Sequence, residues 1–234
     1  MIDVKGFRKL ESSIVACRKC PRLVEWRERT AKEKVRRYMS DEYWGRPLPA
    51  FGEPQASLII VGLAPAAHGG NRTGRMFTGD RSGNWLFEAL HRFGFASRPV
   101  SVDRNDQLTL TDCLITAALR CAPPANKPLP EEIHNCRPYL CRELQLAANK
   151  KVIVALGLIA FKAFLKAWQL NDGLLPHGEM KFKHGAEWVL LGGITLIASY
   201  HPSQQNTQTG RLTRAMFHRI FDRARSILYG SFLS

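Results

Sequence analysis

The stretch SLIIVGLAPAAHGGNRTGRMFTGDRSGN, residues 57–84, decides how this chain is read. Residues 57–63 form an unbroken apolar, β-branched run that ends in glycine and proline, the pattern of a strand buried on both faces. A long polar loop follows. Over residues 83–93 the apolar Trp85, Leu86, Ala89, Leu90 and Phe93 recur at helical spacing, with Ser82 placed to cap that helix. Working outward, residues 108–119 contain a second strand, after which Pro123, Pro124, Pro128 and Pro130 force an irregular segment. Pro130 opens a helix reaching to about residue 148, and residues 151–156 (KVIVAL) are a further buried strand leading through Gly157 into the amphipathic helix LIAFKAFLKAWQ. Residues 188–203 (WVLLGGITLIASYHPS) hold two apolar runs around Gly192 and Gly193. The first reads as an edge hairpin strand, and the second as a buried strand ending in Tyr200, His201, Pro202 and Ser203; a closing helix covers residues 211–228. Strands alternating with helices predict an α/β fold. Two loops, Gly62-Leu63-Ala64-Pro65 and Tyr200-His201-Pro202-Ser203, then fall at carboxyl ends of parallel strands, where open sheets bind ligands.

With 234 residues the chain can bury a core without cross-links, and no repeat or Gly/Ser linker divides it. The expectation is one domain over residues 1–234, with a basic N-terminal extension over residues 1–50. Hydrophobic residues at 45% and charged residues at 23% exclude a disordered chain, and no apolar run has the roughly 18 residues of a membrane span. The charge-broken N-terminus carries no secretory pattern, so a cytoplasmic location is expected. In that reducing setting the six cysteines point to metal ligands, a cluster or buried thiols, not disulfides. Lys and Arg number 34 against 20 Asp and Glu, a net charge of +14, and the basic residues are interleaved with aromatics along the chain. A polyanion, most simply nucleic acid, is the expected partner; a merely soluble basic enzyme would show the same balance.

Three constellations carry chemistry. Cys17 and Cys20 in C-R-K-C-P are joined far downstream by Cys121 and Cys136, and four thiolates so distributed suit zinc or an iron–sulfur cluster. Cys113, inside an apolar strand, reads as a buried thiol, and Cys141 is a spare. The second constellation is the glycine-rich loop of residues 62–84. It has neither a Walker lysine nor G-x-G-x-x-G, so no nucleotide cofactor is expected. It does offer backbone that can approach a ligand at Gly62, Leu63 and Ala64, Phe77 for stacking, the carboxylate Asp80, and Arg72 and Arg75 for phosphate, as a pocket for an everted base requires. Asp80 could equally be only a helix cap. The third is S-Y-H-P-S-Q-Q-N-T-Q-T-G-R, where His201 can donate to a leaving-group oxygen and Gln204, Gln205 and Asn206 suit groove or backbone contacts. A lone histidine is more often structural, and a solvated polar loop looks the same.

Together, GLAPAAHGGNRTGRMFTGD, the C-x-x-C with C-A-P-P-A-N-K-P and C-R-P-Y-L, and H-P-S-Q-Q-N-T-Q-T-G-R resemble the iron–sulfur-containing family 5, or B-type, of the uracil-DNA glycosylase superfamily, over roughly residues 15–225. The resemblance implies a three-layer α/β/α fold with a central, mostly parallel four-stranded sheet, and a [4Fe–4S] cluster on Cys17, Cys20, Cys121 and Cys136. It implies a monomer that acts on DNA, flips out uracil and other deaminated bases such as hypoxanthine and xanthine, and removes them hydrolytically. Family 4 has a glutamate where Leu63 stands, so the carboxylate role passes to Asp80, facing the sugar cation and water. His201 would donate to the departing base, and Phe77 would stack on it. Family 4 also reads the base with an asparagine where this chain has Ala117, which leaves room for a larger base; Asn126 is the nearest alternative amide. Arg72, Arg75, Ser203, Gln204, Gln205, Asn206 and Arg211 are the expected DNA contacts. With no lysine in either loop, Schiff-base lyase activity is not expected. Two rivals stand beside this: a basic iron–sulfur DNA-binding module without glycosylase chemistry, and a phosphate-ester hydrolase using Asp80.

Overall fold

The computed structural model describes residues 4–176 and 178–230. Its centre is four parallel strands, β2 (Leu58–Gly62), β3 (Cys113–Ala117), β4 (Val152–Leu156) and β6 (Thr195–Ser199), every residue of which is buried apart from marginal exposure. Burial on both faces explains why these segments are continuous apolar runs instead of alternating ones. Alternate residues serve opposite faces: Ile59, Val61, Ile153 and Ala155 join one core layer, while Leu58, Ile60, Val152 and Val154 join the other. The first layer is covered by α5 (Pro130–Leu146) and α6 (Leu158–Leu170), the second by α4 (Arg81–Arg92) and α8 (Arg214–Tyr229). Helices on both faces of a mostly parallel sheet make the three-layer α/β/α architecture expected from the chain.

The sheet is wider than four strands. Among the described residues it has six, in the order β1-β3-β2-β4-β6-β5. Strand β1 (Phe51–Gly52) pairs antiparallel with β3, and β5 (Glu187–Val189) pairs antiparallel with β6 as the expected edge hairpin. From β2 the chain moves to β3 on one side and then to β4 on the other, so the order reverses between β2 and β4. A crevice opens at that reversal, outside the carboxyl ends of the strands.

The basic N-terminal segment is built into the body. It forms α1 (Val4–Val15) and α2 (Pro21–Glu33), and Phe7, Cys20 and Leu23 enter the same core layer as α5. Below them, Arg120 and Glu143 make a fully buried ion pair at 2.6 Å, with Thr116 donating to the same carboxylate oxygen at 2.5 Å. Among the described residues no helix is long and apolar enough to cross a membrane.

Candidate active site and cysteine corner

The loop leaving β2 folds by close backbone approach. A Cβ on Gly62 would lie 2.7 Å from two ring carbons of Phe77, so only glycine lets that ring rest on the strand end. Phe77 itself has φ of 52°, an uncommon conformation for an aromatic residue, and its carbonyl sits where a Cβ of Gly83 would be. The two glycines therefore lock the ring between β2 and α4. Across from it the His201 ring packs at 5.9 Å and 30°. The residues expected to stack on a base and to assist its departure thus meet at one strand end.

His201 is held by its neighbours. Asn206 donates through Nδ2 to the His201 carbonyl at 2.8 Å, and the Asn206 backbone N–H is tied to Ser203 Oγ at the start of α7 (Gln204–Gln208). Burial pushes the imidazole down to about 4, so it is neutral at physiological pH. Together with Leu63, Gly157, Tyr200, Asn206 and Arg211 it lines a recess of about 300 Å³ at the β2/β4 reversal. The Arg211 guanidinium lies 4.7 Å over the Tyr200 ring.

Asp80 opens onto a neighbouring cleft of about 700 Å³, with His68, Arg72, Asn84, Asn126 and Gln204 on its walls. Its Oδ1 accepts from the Gly83 N–H at 2.8 Å, so Asp80, not Ser82, caps α4. Its Oδ2 faces Gly69, where a Cβ would collide with it. Burial raises the Asp80 carboxyl above the usual carboxylate range, against the opposing pull of the Gly83 and Ser82 N–H groups and of Arg72. One oxygen is thus engaged by backbone and the other is left beside a residue with no side chain. Capping occupies Oδ1 and leaves Oδ2 towards Gly69.

The remaining candidates fall less neatly. Ala117 ends β3 opposite Gly62 and is 1% exposed in the layer that holds Phe77 and Leu156; it lines neither cavity. Ala64 is half-buried beside Leu63 and packs against the opposite layer. Gln205 is exposed on α7. Arg75 turns inward: it is buried, pairs with Asp106 at 2.6 Å, donates to Ser101 and Thr78, and lies 4.7 Å over Phe51. Its guanidinium is committed within the protein and does not present a charge to DNA. Arg72 lines the cleft, but is ion-paired to Asp41 at 2.6 Å and stacked 3.9 Å from the Tyr38 ring. Sequence reading missed His68, Tyr38 and Arg37, which also line this cleft. His68 was visible inside the quoted loop, whereas Arg37 and Tyr38 arrive from the N-terminal segment and carry no local signal.

A second site lies next to the same loop, where Asn71 donates through Nδ2 to the Arg27 carbonyl at 3.2 Å. Cys20, Cys121 and Cys136 are buried and Cys17 is half-buried, none in a disulfide. Burial pushes the Cys121 thiol up to about 12 and the Cys136 thiol to about 11, and the sulfurs add to this: Cys121 responds to Cys136 and Cys17, and Cys136 to Cys20 and Cys17. All four therefore share one corner. Arg27, 2% exposed, donates to Cys121 Sγ at 3.0 Å. Its Nε, and Nε and Nη1 of the buried Arg120, have no hydrogen-bond partner among the described residues. Unsatisfied buried guanidinium groups around four sulfurs suit an anionic group with acceptor atoms of its own. Among the described residues no three His, Cys, Asp or Glu side chains are close enough to cage one metal ion.

Comparison with known proteins shows the family. Residues 49–225 match the family model described as the uracil DNA glycosylase superfamily. The chain is 49% identical over 215 residues to the type-5 uracil-DNA glycosylase of Thermus thermophilus, covering 92% of this chain and 95% of that one. It is 46% identical over 211 residues to the type-5 uracil-DNA glycosylase of Pyrobaculum aerophilum, covering 90% and 88%. The type-4 uracil-DNA glycosylase of the same organism is 31% identical over 197 residues, covering 84% and 82%.

Proposed function

The chain belongs to the uracil DNA glycosylase superfamily, in its type-5 branch, and on that premise we propose that it is a DNA glycosylase that removes uracil from DNA by hydrolysis of the N-glycosyl bond. The observation that carries this reading is the meeting of Phe77 and His201 over the glycine end of β2, with the half-buried carboxylate of Asp80 in the same loop as Phe77. As the bond breaks, positive charge builds on the deoxyribose and negative charge on the base. A neutral imidazole can donate to the oxygen that becomes anionic without itself losing a proton, which suits a His201 whose charged form burial disfavours. Asp80, its one oxygen fixed by the Gly83 N–H, faces the sugar cation and its attacking water with the other. Phe77 provides a face against which the extruded base stacks.

The finer scope is part of the same proposal. Leu63, which lines the recess, offers no side-chain hydrogen bond that would reject a purine, which supports acceptance of hypoxanthine and xanthine beside uracil. No lysine is among the residues lining either cavity, which supports a monofunctional enzyme that leaves an abasic site. Gln204, Asn206 and Arg211 are the DNA contacts best supported by their position at the two cavities. Cys17, Cys20, Cys121 and Cys136 would hold a [4Fe–4S] cluster, with Arg27 and Arg120 turning N–H groups towards it. In this place it would supply a cross-link between the N-terminal helices and the proline-rich loop. The test is release of free base from duplexes carrying uracil, hypoxanthine or xanthine, in EDTA, followed by alkali. Equal yields of free base and alkali-labile sites support the proposal. DNA binding with no base release supports the rival iron–sulfur binding module, and activity that requires Mg²⁺ supports the hydrolase.

A further inference from the structure

We infer that His68 is a phosphate-binding residue, a neutral imidazole whose Nε2–H contacts the DNA phosphodiester beside the extruded nucleotide. The inference rests on the glycosylase reading and adds a residue that reading does not use. His68 lies in the loop after β2 and shares the cleft with Asp80, Arg37, Arg72 and Gln204. Its Nδ1 is 3.1 Å from the hydroxyl of Tyr43, with the two rings edge to face at 6.1 Å. Tyr43 is 8% exposed, and burial raises its hydroxyl, so it keeps its proton. His68 is held neutral, by burial first and then by the charge of Arg72.

In this proposal the direction of the bond follows donor and acceptor strength. The phenol O–H is a better donor than an imidazole N–H and the imidazole nitrogen a better acceptor than a phenol oxygen, so Tyr43 donates to Nδ1 and the ring proton sits on Nε2. The nitrogen left for the cleft is therefore a donor and cannot take a proton from water. It needs an acceptor from its ligand, and the cleft's Arg37, Arg72 and Arg81 favour an anionic one. The loop is anchored for this purpose: Arg72 donates from Nε to the His68 carbonyl at 2.9 Å, while its other nitrogens hold Asp41 and the Gly79 carbonyl. Arg72 thus fixes the backbone of the loop, and His68 supplies its free donor.

The experiment measures equilibrium binding to a duplex carrying a tetrahydrofuran abasic analogue, with and without a neutral methylphosphonate at each phosphate flanking that site. Wild-type protein is expected to lose about tenfold in affinity at one flanking position, the scale of a hydrogen bond to a charged group. His68→Ala should bind about tenfold more weakly to unmodified DNA and lose nothing further at that position. His68→Gln, which keeps an N–H donor, should recover part of the affinity, and Tyr43→Phe should lose a smaller part. In single-turnover base release on uracil-containing duplex the His68→Ala loss should fall mainly on the half-saturating concentration. Independent losses from the mutation and the methylphosphonate, or a His68→Ala loss confined to the maximal rate, would overturn the assignment. Wild-type protein that releases no uracil overturns the glycosylase reading itself, a result distinct from either.

Discussion

The strand-end loop and the cysteine corner both bury polar groups, and they do so in opposite ways. In the loop, glycines at 62, 69 and 83 remove side chains so that Phe77 and Asp80 can close in, and one Asp80 oxygen is left without a side-chain partner. In the corner the crowding is by side chains: Arg27 and Arg120 are 2% and 1% exposed and surround the sulfurs with N–H groups that lack partners. A carboxylate facing a cleft can act on whatever enters it. Guanidinium groups beside buried sulfurs face a fixed set of neighbours instead. An incompletely satisfied polar group acquires its meaning from its surroundings: an open cleft for Asp80, packed sulfurs for Arg27 and Arg120.

The contrast can be broken most severely at Asp80. Asp80→Asn keeps a good capping side chain for α4, so folding should be preserved while base release falls on the order of 10³-fold. Asp80→Ala should show the same loss of rate plus about 1 kcal/mol of stability, because the cap goes as well. Single-turnover kinetics and thermal melts on the two variants separate the roles. The pH profile sharpens the point. Because burial raises Asp80, wild-type activity should decline on acidification above the ordinary aspartate range, with no separate limb near 6.5 from His201, which titrates at about 4. A limb at 6.5 that vanishes in His201→Gln would show the imidazole to be better solvated than its packing indicates.

At the corner, Cys136→Ala should abolish the iron content and visible absorption of the purified protein and lower its melting temperature, while DNA binding weakens less than folding does. Iron and sulfide analysis of anaerobically purified protein decides it; one zinc per chain would refute the cluster.

A smaller effect is expected from Ala117→Asn. The structure puts Ala117 in the core layer beneath Phe77, so the amide must compete with packing for its place. If it reaches the base, the uracil to hypoxanthine rate ratio should rise about tenfold. An unchanged ratio, with a stability loss of about 1–3 kcal/mol, would confine Ala117 to packing.

The smallest effect concerns Asp106, the inward partner of Arg75. Burial opposes its ionisation, but Arg75 and the Leu108 and Val102 N–H groups outweigh that and hold the carboxyl at about 2. A depressed carboxyl stabilises the fold above its unfolded value near 3.9 and ceases to do so as pH falls towards 2. Asp106→Asn should therefore cost about 2 kcal/mol at neutral pH, and the gap between variant and wild type should close below pH 3. Denaturant melts from pH 7 to 2 measure it.

What could be read from the chain follows the range of the interactions. Strands β2, β3, β4 and β6 were legible because burial on both faces demands continuous apolar runs, and the Gly192-Gly193 pair announced the hairpin. Strand β1 was not, since two residues, Phe51 and Gly52, carry no period. Helices α1 and α2 were obscured by their charge, although Phe7 and Ile14 recur at a spacing that marks a buried helical face. Asp80 and His201 stood out because they lie in loops beside glycine and proline. Arg75 misled, because its partner Asp106 is 31 residues away and nothing local distinguishes an inward arginine from a DNA-facing one. His68 stands in the loop itself, but the Tyr43 hydroxyl that sets its ring is 25 residues upstream.

The most direct measurement is a single-turnover assay in EDTA on a uracil-containing duplex, with free base and alkali-labile sites counted in the same sample for wild type and Asp80→Asn. A hydrolytic role for Asp80 requires one uracil released per abasic site by wild-type protein, and DNA still bound but almost no uracil released by Asp80→Asn. Base release by Asp80→Asn at the wild-type rate, or strand cleavage by wild type without free uracil, would contradict it.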